Sequence, residues 1–302
     1  MRCHLRMIIL ATLLAIFGAG VFSNSTSWKV EANDYSNHAV GLAYAEVMTH
    51  PDSGEAGHVI FFRQDVGNGQ LNDDFVYNDP RRAAINGGNP GVTYGVKTGF
   101  LSSDEHLTDP VGWMHNAFNV WTSQACTHLS LTENSVNPSS IGAVANYFVT
   151  DVVDLSLVQA DITQVGFMGA GPIFSEGSDV LSVSYTVYWF DENGQPSDID
   201  GNGKFDVAFR EIYYNDQYEW SDNDVEGLQP DGTRIFDFPT VAIHEAGHGL
   251  SAGHVGNIGF KNGTLVANPR AVMNGVYIDP LRELTGRDGG IYCSNWAKWP
   301  SH

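Results

Sequence analysis

Alternation of apolar and polar positions is clearest at residues 181–189. Leu181, Val183, Tyr185, Val187 and Trp189 share one face, and Ser182, Ser184, Thr186 and Tyr188 share the other. This period of two predicts a half-buried β-strand. Residues 207–213 (VAFREIY), Val92–Val96 (VTYGV) and 58–62 (HVIFF) predict further strands, and residues 130–132 and 143–150 read as short ones. Elsewhere the period lengthens. Val111, Met114, Phe118, Trp121 and Ala125 recur at steps of three and four, which predicts an amphipathic helix over 107–125 with Thr108 or Asp109 as N-cap ahead of Pro110. Residues 238–250 predict a second helix, with Asp237 as N-cap and Pro239 in its first turn. Strands mixed with helices argue for an α/β or α+β fold rather than a sandwich. Residues 24–90 are harder to read. Gly, Asn and Asp dominate 67–91, which predicts loops. The stretch is a pro-segment, a supporting layer or part of the same domain.

The first 23 residues change the picture of where the chain works. Residues 1–6 are short and basic, residues 7–17 are almost unbroken hydrophobe, and Gly18, Ala19 and Gly20 follow. That is the layout of a secretory signal peptide, so the mature protein is expected outside the cell and without a stable membrane association. Of three cysteines, Cys3 leaves with the signal, and Cys126 and Cys293 are expected to form one disulfide in an oxidising compartment. The 302 residues carry 35 Asp and Glu against 15 Lys and Arg, a net charge of −20, and loss of Arg2 and Arg6 makes the balance more acidic. Such a surface repels phosphate backbones, which argues against nucleic acid as a partner.

Candidate chemistry lies in the second helix. His244 and His248 are four apart and therefore one turn apart on one face, with Glu245 beside them. His254 follows six residues later, where a turn brings a third nitrogen back. Three neutral imidazoles suit Zn²⁺ and leave a fourth position open for water. Glu245 is placed to accept a proton from water and deliver it to a leaving nitrogen. An amide needs both services, so the expected reaction is peptide-bond hydrolysis.

The run HEAGHGLSAGH (residues 244–254) resembles the metzincin signature HExxHxxGxxH. Met273 lies 19 residues after His254, a suitable distance for the family's methionine turn, and Tyr277 follows four residues later, where matrixins place a tyrosine walling the first primed-side pocket. The resemblance extends over about residues 90–292 and is to secreted, bacterial-type matrixins. It implies a zincin-like α/β (α+β) fold: a twisted mixed sheet with an antiparallel edge strand, an active-site helix and a small C-terminal subdomain. It also implies a zinc endopeptidase with His244, His248 and His254 as ligands and Glu245 as the base. The strand around 180–186 would be the edge along which a protein or peptide substrate lies extended, and residues 281–292 resemble the family's C-terminal helix. The expected organisation is a signal peptide at 1–23, an N-terminal extension or pro-segment at 24–90, and a catalytic domain at 91–302. The chain departs from the pattern in four ways: Ser251 replaces the signature glycine, so the turn uses Gly253 or a strained serine; Val255 follows the third histidine, where matrixins often carry serine; Gly275 replaces a common proline; and residues 24–90 lack a cysteine switch.

A second ion is a further candidate. Asp198, Asp200, Asn202 and Asp206 space oxygens as a calcium loop does, but Phe209 occupies the twelfth position and Glu211 comes two residues late. A loop without an ion remains open. His50, Asp52 and His58 have tempting metal spacing but read better as a solvated loop, and Asp222, Asp224 and Glu226 as a solvated face. The competing function is a non-catalytic secreted calcium-binding or adhesion module on the same scaffold.

Overall fold

Strands β1 (Ala39–Thr49), β2 (Gly57–Ile60), β3 (Asp73–Asp74), β4 (Val92–Val96), β5 (Leu131–Glu133), β6 (Ile162–Met168), β7 (Val180–Phe190) and β8 (Phe205–Asn215) form one mixed sheet. These are seen in a computed structural model that describes residues 39–52, 57–60 and 69–301. The predicted signal peptide lies outside the described residues. The sheet runs β2-β1-β7-β8-β6-β4-β5, with β3 alongside β8. Pairs among β4, β5, β6 and β8 are parallel, whereas β7 is antiparallel to β8 and to β1. Mixed α/β architecture is therefore present.

Among the described residues five α-helices accompany the sheet: α1 (Ala83–Asn86), α2 (Pro110–Thr122), α3 (Ala143–Thr150), α4 (Phe238–Gly249) and α5 (Gly286–Trp296). A small sheet of β9 (Glu219–Ser221), β10 (Gly227–Leu228) and β11 (Arg234–Asp237) precedes α4, and the hairpin β12 (Asn257–Lys261) and β13 (Thr264–Asn268) follows it. The larger apolar core joins α2, α4 and α5 to the sheet through Met114, Phe118, Trp121, Val241, Ile212 and Trp296. A second core, with Val144, Val183, Tyr185 and Phe209, packs α3 against the sheet.

Several expectations need correction. β7 is buried at all eleven positions, not half-buried, because both of its faces are covered. Nor is it an edge strand, since β1 pairs along its whole length. Residues 143–150 form a helix. Gly142 at φ +88° breaks the extended chain, and the Glu211 carboxylate accepts from Ala143 N at 2.7 Å and Val144 N at 2.8 Å, capping a helical start. The helix expected over 107–125 is shorter, with Asp109 as its cap and Ala125 beyond its end. The C-terminal helix starts at the Thr285–Asp288 capping box and continues to Trp296, so it is displaced from 281–292. Part of residues 24–90 belongs to the sheet through β1, β2 and β3.

The Cys126–Cys293 disulfide is formed and ties the segment after α2 to α5. Trp296 and Trp299 are buried beside it, their rings 5.4 Å apart. Among the described residues, no helix is long and apolar enough to cross a membrane.

Candidate active site

Helix α4 begins where Asp237 accepts from Thr240 N at 3.0 Å, with Pro239 in the first turn needing no donor partner. Its middle runs close to the core. A Cβ on Gly247 would meet the Met273 sulfur at 2.4 Å and the Trp121 ring at 2.5 Å, so only glycine fits. Its end is turned by Ser251, which takes φ +62° in the left-handed region. Of the two expected ways to make this turn, the strained serine is the one used. Arg210 reaches out of β8 to hold it, donating to Gly249 O at 2.7 Å and to Ser251 Oγ at 3.1 Å. Asn295 and Trp296 of α5 donate to Ser251 O and Leu250 O.

This turn returns His254 to the helix. The three Nε2 atoms lie 3.0 Å (His244–His248), 3.1 Å (His248–His254) and 3.2 Å (His244–His254) apart. His244 Nδ1 donates to Val272 O and His248 Nδ1 to Ala252 O, each at 2.7 Å. A carbonyl only accepts, so both Nδ1 atoms carry the proton and both Nε2 lone pairs face the common centre. His254 Nδ1 lies 3.3 Å from the Glu46 carboxylate of β1. Burial lowers His244 to about 4, keeping it neutral. Converging lone pairs repel unless a cation joins them. Tetrahedral bonds of 2.0–2.1 Å would space the nitrogens by about 3.3–3.4 Å, so the donor set fits zinc.

Glu245 is fully buried. Ser182 of β7 donates its hydroxyl to Glu245 Oε1, and Oε2 has no hydrogen-bond partner among the described residues. Burial pushes this carboxyl well above its usual range; the Ser182 bond opposes that rise, and the Glu46 charge adds to it. Met273 is buried, its sulfur facing Gly247 of α4. Asp288 of α5 accepts from Val272 N at 3.0 Å and Met273 N at 3.1 Å, fixing this turn. Tyr277 is buried, and its hydroxyl accepts from Asp237 N at 3.2 Å.

In the loop between β7 and β8, Asp198, Asp200 and Asp206 place carboxylate oxygens within 4.8 Å of one another. Asn202 stands beside them, its amide nitrogen 3.1 Å from Asp74 and 3.3 Å from Asp200. Burial raises Asp74 to about 7. Asp206 accepts from Arg81 at 2.7 Å and Ser197 at 2.6 Å, while Asp198 accepts from Asn202 N and Gly203 N and Asp200 from Asn202 N, at 3.0–3.2 Å. Glu211 caps α3 and takes no part. His50 bonds to Asp179 at 3.0 Å, and neither it nor Asp52 belongs to a metal-competent cluster among the described residues. Asp222 is not merely solvated, since it accepts from Thr108 N and Asp109 N ahead of α2.

The motif did not disclose Ser182, Glu46, Arg210 or Asp288. Ser182 had a signal, the polar face of an alternating strand, but nothing in the alternation says that this face meets a helix. The other three act across long sequence separations. A scan against models of known protein families finds no match to this chain, and neither does a comparison with curated proteins.

Proposed function

We propose that this chain is a secreted zinc-dependent endopeptidase of the matrixin-like kind. The observation that carries the proposal is the convergence of three imidazole Nε2 atoms within 3.2 Å, with a buried glutamate adjacent in sequence. The helix under a mixed sheet, the buried Met273 and the nearby Tyr277 support the same reading. The formed disulfide supports an extracellular setting.

His244, His248 and His254 would hold the metal. Zinc held there supplies Lewis acidity toward water and a peptide carbonyl. Glu245 accepts the proton from water and passes it to the nitrogen released when the C–N bond breaks. A carboxyl raised by burial suits a group that must both hold and yield a proton near neutrality. Ser182 orients Glu245 through the bond to Oε1, leaving Oε2 for the proton. Val272 O and Ala252 O hold two of the rings in the tautomer that ligates. The acidic loop supports a second, structural role for calcium, holding Asp198 and Asp200 between β7 and β8. The alternative of a non-catalytic binding module is less well supported, because it has no use for a buried Glu245 with one unmatched oxygen.

Elemental analysis tests the metal: one zinc per chain is expected, and none in the folded His248→Ala variant. Glu245→Gln is expected to keep the zinc and lose casein hydrolysis. Folded protein that takes up no zinc would overturn the proposal.

A further inference from the structure

Strand β1 is bonded differently from an ordinary sheet strand. Along β7 it is antiparallel, with Ala39 opposite Phe190 and Thr49 opposite Val180. At its end it also pairs, in parallel, with the segment after the methionine turn. Thr49 N donates to Gly275 O at 3.2 Å, and Tyr277 N donates to Thr49 O at 2.9 Å. Residues 44–47 pair with β2 on the side away from β7. The chain is thus held in a slot between β7 and residues 275–277.

That slot crosses the candidate active site. Glu46 reaches His254 Nδ1 at 3.3 Å. Met48 stands opposite Ser182, whose hydroxyl bonds Glu245. The backbone from Glu46 to Met48 therefore spans the interval from His254 to Glu245, where a peptide must lie to be acted on. Met48 is 2% exposed and belongs to the same apolar cluster as Tyr277. With β1 in place, His244 and Glu245 are both at 0% exposure and His248 at 1%. Residues 39–49, AVGLAYAEVMT, contain no cysteine, so backbone pairing and Met48 burial seat the strand rather than a thiol.

We propose that residues 44–49 are a resident peptide in the substrate groove, and that the chain is closed to other peptides until β1 leaves. β1 is seated there by main-chain pairing on two sides, antiparallel to β7 and parallel to residues 275–277, and by Met48 in the apolar cluster. This rests on reading the site as a peptidase.

The test uses full-length, zinc-loaded protein in a Glu245→Gln background, so that no probe is turned over. Met48→Asp places a charge in the apolar core, and Thr49→Pro removes the donor to Gly275 O. The probe is a fluorescein-labelled peptide of residues 39–49, followed by anisotropy. Either substitution is expected to tighten probe capture at least tenfold, to speed hydrogen exchange of the β7 amides, and to speed zinc loss to a chelator at least tenfold. In the chain without these substitutions, β1 amides are expected to exchange by local opening, faster than those of β6 and β8. Folded variants with unchanged capture and β7 protection would overturn the proposal. So would failure of both variants to fold, or β1 exchange only through global unfolding, because β1 would then be an obligate core strand.

Chains carrying Glu245 separate the two readings. Casein hydrolysis equally fast with and without Met48→Asp would overturn groove occupancy and leave the peptidase reading standing. Probe capture and zinc retention without hydrolysis in Met48→Asp would support occupancy and overturn the peptidase reading.

Discussion

Ser251 shows how much one backbone angle decides. Its φ of +62° costs an L-residue about 1–2 kcal/mol, and the bond from Arg210 to its hydroxyl returns about 1 kcal/mol. Ser251→Gly removes both and is expected to change stability by less than about 1 kcal/mol while keeping zinc affinity. Ser251→Val keeps the strain, adds a branched Cβ and loses the hydroxyl; it is expected to weaken zinc binding at least tenfold by displacing His254. Urea unfolding and competitive zinc titration check the pair. Lys97 makes a different residue-scale prediction. It is buried, donates to Ser140 O at 3.1 Å, and burial lowers its pKa below the ordinary value of 10.5, with Glu211 opposing. The unfolded chain therefore holds this proton to higher pH than the folded chain does, so the contribution of Lys97 to stability rises as pH climbs toward 10.5. Lys97→Met is expected to be more stable than wild type by about 1 kcal/mol at pH 7, with the gap closing by pH 10 in unfolding titrations. At this scale the sequence was informative where geometry is local. The spacing of His244 and His248 follows from the helix period, and the alternatives for the turn at 251–253 were visible. Glu46 and Arg210 were not, because their partners lie far along the chain.

Among the elements, legibility followed the length and regularity of each pattern. Helix α4 and strands β7 and β8 were readable because a cap or a long alternation marks them. Residues 143–150 pass for a strand in sequence because eight residues of mostly apolar side chains carry too little period to separate strand from helix. The deciding contact was the cap from Glu211, 68 residues away. The edge-strand expectation for β7 fails for a related reason: β1 (39–49) lies in the part of the chain, residues 24–90, whose pattern does not assign it to the same sheet. Element joining supplies the next prediction. The Cys126–Cys293 bond closes 167 residues of chain and anchors α5, whose Asp288 holds the methionine turn. A double Cys→Ala variant is expected to lose about 4–5 kcal/mol and to melt roughly 10 °C lower in calorimetry, through release of unfolded-state entropy and looser docking of α5. Asp288→Ala, with the disulfide intact, would separate the second effect from the first by loosening the turn under Met273 alone.

For the whole molecule, the dominant physical fact is charge. A net charge of −20 repels itself in the folded state, so added salt is expected to raise the melting temperature by screening alone. Calcium would raise it too, and a binding loop must be separated from that background. Asp198 and Asp200 are mostly exposed, and their oxygens converge with those of Asp206. Asp74, buried behind Asn202, adds another carboxylate nearby. Micromolar calcium in 0.2 M NaCl leaves ionic strength essentially constant, so any rise in melting temperature there reports binding rather than screening. The expected outcome is a rise with calcium, none with the same concentration of magnesium, and loss of the rise in Asp198→Asn with Asp200→Asn. The zinc count should stay at one per chain throughout, because the trio sits on α4 and the turn after it, not on the β7–β8 loop. Equal responses to both cations, unchanged in the double variant, would reduce the loop to a capped turn and leave the acidic surface as a purely electrostatic feature.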